Sequence, residues 1–276
     1  MINDTERKIE IEKKNQEIDQ FNRLCERLKN LTDKEKKTMY YQLGYLDSNW
    51  NNCNNFFTYF KKSKFCENIF KIDIDDINKF RDKVVEKIAD DYLLWHESDE
   101  CKDKFKNDNQ KLDFKFSIIG LIGELFNIFY LEKISTFRTE TGYRRRFKIV
   151  VPFNLFMKQN DWGADLIALD EKDDICVFQV KFYSTWSIKQ GNKIELKKHC
   201  FGTMCETMRL IYNDFDYLKG HVFVTLLGKK TDDVSISLQK SPYKKYLTIL
   251  DKDNYFNDIA GDTTVFKDFY KFLMEI

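Results

Sequence analysis

The stretch that most constrains the fold runs from Gly163 to Lys181. Leu166, Ile167, Ala168 and Leu169 form one apolar run, and Ile175, Val177, Phe178 and Val180 give a second its β-branched and aromatic character. Glu171, Lys172, Asp173 and Asp174 lie between them as an acidic turn. The pattern predicts two short strands paired as a hairpin. Side chains alternate along a strand, so Gln179 and Lys181 share one face. Asp165, near the start of the first strand, then lies across from the end of the second. A carboxylate, an amide and an ammonium are expected together at one edge of a sheet.

Polar groups at the ends of apolar strands are paired, ligated or solvated, because burying them alone is costly. Spacing by itself leaves two readings open: a salt bridge closing the sheet end, or a site. Gly163-Ala164-Asp165, a gap, then Gln179-Val180-Lys181 resembles the PD-(D/E)xK nuclease signature, in the Gln-x-Lys variant of Mrr-type restriction endonucleases and related DNA-cleaving domains. Ala164 stands where the motif has Pro, and Gln179 where an acid is commoner. The resemblance covers roughly residues 112 to 250. It implies an α/β fold with a restriction-endonuclease-like core, a central mixed sheet flanked by helices.

The same resemblance implies Asp165, Gln179, Lys181 and Glu124 as catalytic residues. It implies Mg²⁺, with Mn²⁺ able to substitute, held by Asp165, Glu124, the Gln179 amide oxygen and the Val180 main-chain carbonyl. Such a hard cation takes oxygen ligands and is held by one or two carboxylates plus substrate phosphate oxygens. A neutral Gln lowers the negative charge of the site, so metal affinity without substrate is expected to be weak. Lys181 is expected to orient or help deprotonate the attacking water and to counter charge at phosphorus.

Upstream, Leu112 to Lys133 predicts a helix whose centre holds Glu124 among Ile118, Ile119, Leu121, Ile122, Leu125, Phe126 and Ile128. A carboxylate there must snorkel, stay protonated or face a cation. Either it shares a narrow polar stripe with Asn127, or, as the family order implies, it aims at the metal. Tyr143-Arg144-Arg145-Arg146 is a phosphate-contact candidate or simply a charged turn into the strand expected over Phe147 to Phe153. After Lys181, Tyr183, Lys189 and Lys193 fall in a loop expected beside the site, as further DNA contacts. Lys197 to Leu218 reads as a helix and His221 to Leu227 as a buried strand. Val234 to Leu238 and Tyr246 to Leu250 read as further strands, and Phe266 to Met274 as a closing helix. His199, Cys200 and Cys205 match no standard zinc spacing.

The first 45 residues read as helix, with Ile11, Ile18, Phe21, Cys25 and Leu28 recurring on one side, as a helix packed on the domain or a short dimerising coil. Thr32-Asp33-Lys34-Glu35 is a capping box opening a second helix that Gly44 ends. Aromatics interleaved with lysines over residues 46–74 are core or a stacking surface for single strands. Asp73 to Trp95 reads as helix, and the polar residues 97–111 as a linker or exposed loop. Two units are expected: residues 1–110, a helical region for DNA recognition or dimerisation, and residues 111–276, the nuclease-like domain.

The net charge of +1 leaves nucleic-acid contacts to local patches. Seven scattered cysteines without a CxxC pair predict reduced thiols in a cytoplasmic or nuclear protein. No membrane span is expected, because Glu124 interrupts the most apolar stretch, Phe116 to Leu131. No Walker A or GxGxxG sequence supports a nucleotide cofactor. The functional expectation is a metal-dependent DNA endonuclease, restriction- or repair-like, acting on duplex DNA as a homodimer. Two alternatives stand beside it. One is a nucleic-acid-binding module with the nuclease fold and little activity, within a larger helicase-nuclease. The other is a non-catalytic interaction protein.

Overall fold

The computed structural model describes residues 4–44, 108–133, 137–138, 144–158, 164–181, 222–226, 236, 239–240, 247–250, 269 and 271. Two helices open the chain, α1 (Asp4–Lys29) and α2 (Asp33–Leu43). Between them Thr32 forms the expected capping box: its hydroxyl accepts from the Glu35 N–H, and the Glu35 carboxylate accepts from the Thr32 N–H at 2.8 Å. Gly44 ends α2 in ordinary right-handed geometry, φ −69°, so no left-handed cap is used there.

A long helix, α3 (Asp108–Lys133), precedes the sheet. It begins inside the segment expected to be a linker, where Asp108, Asn109 and Gln110 supply a polar first turn ahead of the apolar stretch from Ile118 onward. A short β1 (Phe137–Arg138) pairs antiparallel with β2 (Arg144–Arg145). The main sheet has five strands in chain order: β3 (Phe147–Pro152), β4 (Leu166–Asp170), β5 (Ile175–Lys181), β6 (Val222–Leu226) and β7 (Leu247–Leu250). β3, β4 and β5 form an antiparallel meander, and β6 and β7 run parallel to β5. A mixed sheet with helices against it is an α/β arrangement. β4 is buried at all five positions, and β5 from Ile175 to Val180, which explains why neither shows a clean polar alternation.

The hairpin turn is built around Asp170. Its Oδ1 accepts from the N–H groups of Lys172 and Asp174 at 2.9 and 2.8 Å, while Asp173 takes the left-handed region at φ 65°. Asp173 also ties α1 to the turn. Lys29 Nζ reaches its Oδ2 at 3.0 Å and Lys148 Nζ its Oδ1 at 3.3 Å, and these lysines hold its carboxyl below the usual carboxylate range. Cys25 Sγ lies 3.6 Å from the Asp173 carbonyl oxygen, and burial pushes that thiol up to about 11. Cys25 and Cys176 are both free thiols.

Edge strand β3 is capped rather than left open. The Tyr40 hydroxyl of α2 donates to the Val150 carbonyl at 2.9 Å, and the Val150 N–H donates to Glu132 Oε1 of α3 at 2.9 Å. The described part of the first 44 residues thus lies directly on the sheet. Of the predicted apolar stripe on α1, only Cys25 and Leu28 at its C-terminal end are buried, joined by Leu24, whereas Ile11 and Ile18 are about half exposed (53% and 50%). A 26-residue helix is ~39 Å long at 1.5 Å per residue and outruns the sheet it packs on.

Two further expectations change. Phe153 leaves the strand to begin a short helix, α4 (Phe153–Met157), closed by Lys158 at φ 57°. Pro152 fixes its own φ and stops the ladder there. Ile236, Gln239 and Lys240 are helical, so the Val234 to Leu238 alternation does not mark a strand; β7, from the next apolar run, is the strand beside β6. The expected closing helix is helical where described, and Phe269 seats edge-on against Phe126 with centroids 5.4 Å apart. Among the described residues, no helix is long and apolar enough to cross a membrane. The aromatic–lysine stretch over 46–74, the Asp73–Trp95 helix, the Lys197–Leu218 helix and the His199, Cys200 and Cys205 cluster lie outside the described residues.

Candidate active site

Asp165 immediately precedes β4 and is held by main-chain groups on three sides. Its N–H donates to the Phe178 carbonyl at 2.8 Å, and its own carbonyl accepts from the Phe153 N–H at 2.9 Å. Its carboxylate Oδ2 accepts from the Val180 N–H at 2.6 Å. The β4–β5 ladder ends at Leu166 opposite Phe178, and the Asp165 N–H bonds to that same Phe178 carbonyl. Asp165 therefore sits at the end of the hairpin remote from its turn, beside the stretch of β5 that carries Gln179, and Lys181 is the last residue of that strand.

Gln179 is fully buried (0% exposed), and among the described residues neither its amide oxygen nor its amide nitrogen has a hydrogen-bond partner. A buried amide without partners costs on the order of 1–3 kcal/mol. Nothing in β5 packing calls for an amide there: its neighbours Val177, Phe178 and Val180 are all apolar and buried. The register pairs Gln179 with Val224 and Lys181 with Leu226 on β6.

Glu124 lies on α3, which packs against both β3 and β5. It is the one half-buried residue in a run that is buried from Leu121 to Leu131. Asn127, the residue expected to share a narrow polar stripe with Glu124, does not face solvent. Asn127 is buried and its Nδ2 donates to the Gly123 carbonyl at 2.8 Å, bonding back along its own helix.

The arginine run enters the sheet at the opposite end. Phe147 pairs with Asp170, at the turn end of β4, while Pro152 pairs with Leu166 beside Asp165. Arg146 is exposed and its carbonyl accepts from the Glu171 N–H at 2.8 Å. Antiparallel pairing therefore separates Arg144, Arg145 and Arg146 from Asp165 by the length of β3. Tyr183, Lys189 and Lys193 lie outside the described residues.

Sequence reasoning missed the main-chain anchors of Asp165, the N–H groups of Val180 and Phe153. No residue type signals them, because any residue but proline supplies an N–H. Among the described residues, no group of three or more His, Cys, Asp or Glu side chains gathers to hold a metal. The expected set differs from such a cluster: two carboxylates, one amide and one main-chain carbonyl. An amide oxygen and a carboxylate are donor types that suit a hard cation such as Mg²⁺.

No protein-family model and no curated protein matches this chain.

Proposed function

We propose that this chain is a metal-dependent DNA endonuclease with a restriction-endonuclease-like core. One observation carries the reading: among the described residues the fully buried Gln179 amide has no hydrogen-bond partner, and the N–H of the next residue, Val180, fixes the Asp165 carboxylate. The order of helix, antiparallel meander and parallel strand supports it, as does the Gln-x-Lys pattern at the end of β5.

When bound, Mg²⁺ would polarise a phosphoryl oxygen and lower the pKa of a coordinated water. Asp165 and the Gln179 amide oxygen are its proposed ligands, with Glu124 of α3 and the Val180 carbonyl completing the set. The Val180 N–H holds the Asp165 carboxylate in one rotamer, so binding loses little side-chain freedom. Lys181, as an ammonium, would orient the attacking water and counter the charge at the phosphate. The hydrophobic β5 surroundings keep bulk water from the amide side.

A second reading, a binding module with little cleavage, draws on the small number of carboxylates in the set. Supercoiled plasmid separates the two. Wild type with Mg²⁺ or Mn²⁺ is expected to nick or linearise it, and Asp165→Ala and Lys181→Ala to abolish this with the fold retained. Binding without cleavage of duplex, branched or single-stranded DNA selects the second reading, and cleavage surviving both substitutions rejects the site.

A further inference from the structure

A cleft of about 920 Å³ lies between the α1–α2 turn and α4. Its floor is apolar, with Met39 and Phe156 buried, and its rim carries Arg27, Lys34 and Lys158, all exposed. Arg27 is seated over the Phe156 ring, 4.0 Å from the centroid, which fixes the guanidinium at the wall. Among the described residues, no carboxylate pairs with any of these three cations. The one carboxylate in the lining, Glu35, is already engaged by Thr32, at 2.8 Å from its N–H and 2.7 Å from its hydroxyl. Arg27, Lys34 and Lys158 thus give this cleft a positive rim that an anion would complement.

We infer that this cleft seats the phosphate backbone of the DNA duplex whose strand reaches Asp165; the inference rests on the nuclease reading. The position supports that occupant. Helix α4 forms one wall of the cleft, and its first residue, Phe153, donates its N–H to the Asp165 carbonyl at 2.9 Å. Its five residues span ~7.5 Å, about two nucleotide steps at 3.4 Å per step. A strand lying across the cations therefore reaches the Asp165 edge within a few phosphates. Asn30 and Gln42 on the rim are residue types that bond phosphate and sugar oxygens without reading sequence.

The test is binding of a fluorescein-labelled duplex by anisotropy in EDTA, so that no cleavage occurs, at several salt concentrations. Wild type is compared with Lys34→Gln/Lys158→Gln and with Lys8→Gln/Lys14→Gln, which removes the same charge from the exposed start of α1. Thermal melts check that each variant folds. The expected result is a weaker cleft variant whose slope of log K against log salt falls by about 1.8, ~0.9 for each lost phosphate contact, with the α1 variant unchanged. Equal slopes in wild type and the cleft variant overturn the inference, as does an equal loss in the α1 variant. Failure of wild type to bind duplex overturns both this inference and the nuclease reading. The expected slopes without metal-dependent plasmid cleavage uphold the cleft and reject only the nuclease chemistry. If sedimentation finds wild type self-associated and the cleft variant monomeric, the cleft is an interface between copies and the inference fails.

Discussion

The Val180 N–H and the Asp165 carboxylate meet at 2.6 Å across the β4–β5 hairpin, so the strand that carries Gln179 and Lys181 also orients the aspartate. A hydrogen bond to a charged group contributes about 1.5–3 kcal/mol. Asp165→Ala is expected to lower stability by that order, measured by urea denaturation. Asp165→Asn keeps an acceptor oxygen and should lose less stability while losing metal-dependent cleavage equally. If Asp165→Asn cleaves as wild type, the carboxylate charge is not part of the chemistry.

The buried amide of Gln179 makes a contrary pair of expectations. Gln179→Met keeps the volume and removes two unpartnered polar atoms, so the melting temperature should rise, by an amount corresponding to about 1–3 kcal/mol. Cleavage should fall. A variant that melts lower than wild type shows that the amide is satisfied in solution and removes the principal support for a ligand there.

Restoring an acid at the same place tests the metal directly. Gln179→Glu buries a second carboxylate next to Val180, whose N–H holds the Asp165 carboxylate, so without metal it is expected to destabilise the fold through burial and like-charge repulsion. Added Mn²⁺ should then raise the melting temperature of the variant more than that of wild type, because a ligand that binds only the folded state stabilises it. Equal response in both proteins argues against metal binding at this edge.

At the other side of the sheet, Tyr40→Phe removes the donor to the Val150 carbonyl and leaves a buried main-chain acceptor. The expected loss is about 1–3 kcal/mol in denaturant unfolding, with faster amide exchange along β3. An unchanged midpoint means that solvent reaches that edge.

Glu132 gives a pH signature. Burial raises its carboxyl above the ordinary 4.5, although Lys36 at 3.7 Å and the Val150 N–H pull it back. The folded state therefore holds this proton more tightly than the unfolded chain. That contribution to stability is complete below 4.5 and is lost as pH rises through the folded value. Glu132→Gln should gain stability relative to wild type on going from pH 4 to pH 7, in paired denaturation curves at each pH. A difference that does not change with pH shows that Glu132 titrates as an exposed carboxylate.

The hairpin was legible in the chain because its signals are local: two apolar runs, a four-residue acidic turn and a polar residue at each far end. The capping box of α2 and strands β6 and β7 were legible for the same reason. The α3 start was placed too late because its first turn is polar, and polar residues favour helix starts as readily as loops. The Val-Ser-Ile-Ser-Leu alternation misled because a short period-2 run carries no information about its neighbours. Sequence alone determined which residue types stand at positions 165, 179 and 181, and that strand alternation puts 179 and 181 on one face. Tertiary structure alone decided that the Asp165 carboxylate meets the Val180 N–H, that the Gln179 amide is buried with no partner among the described residues, and that the arginine run sits at the far end of the sheet. It also brought three cations from two distant segments, around Arg27 and Lys158, to one cleft. Register and burial arise from pairings between residues far apart in the chain, and no local pattern encodes them.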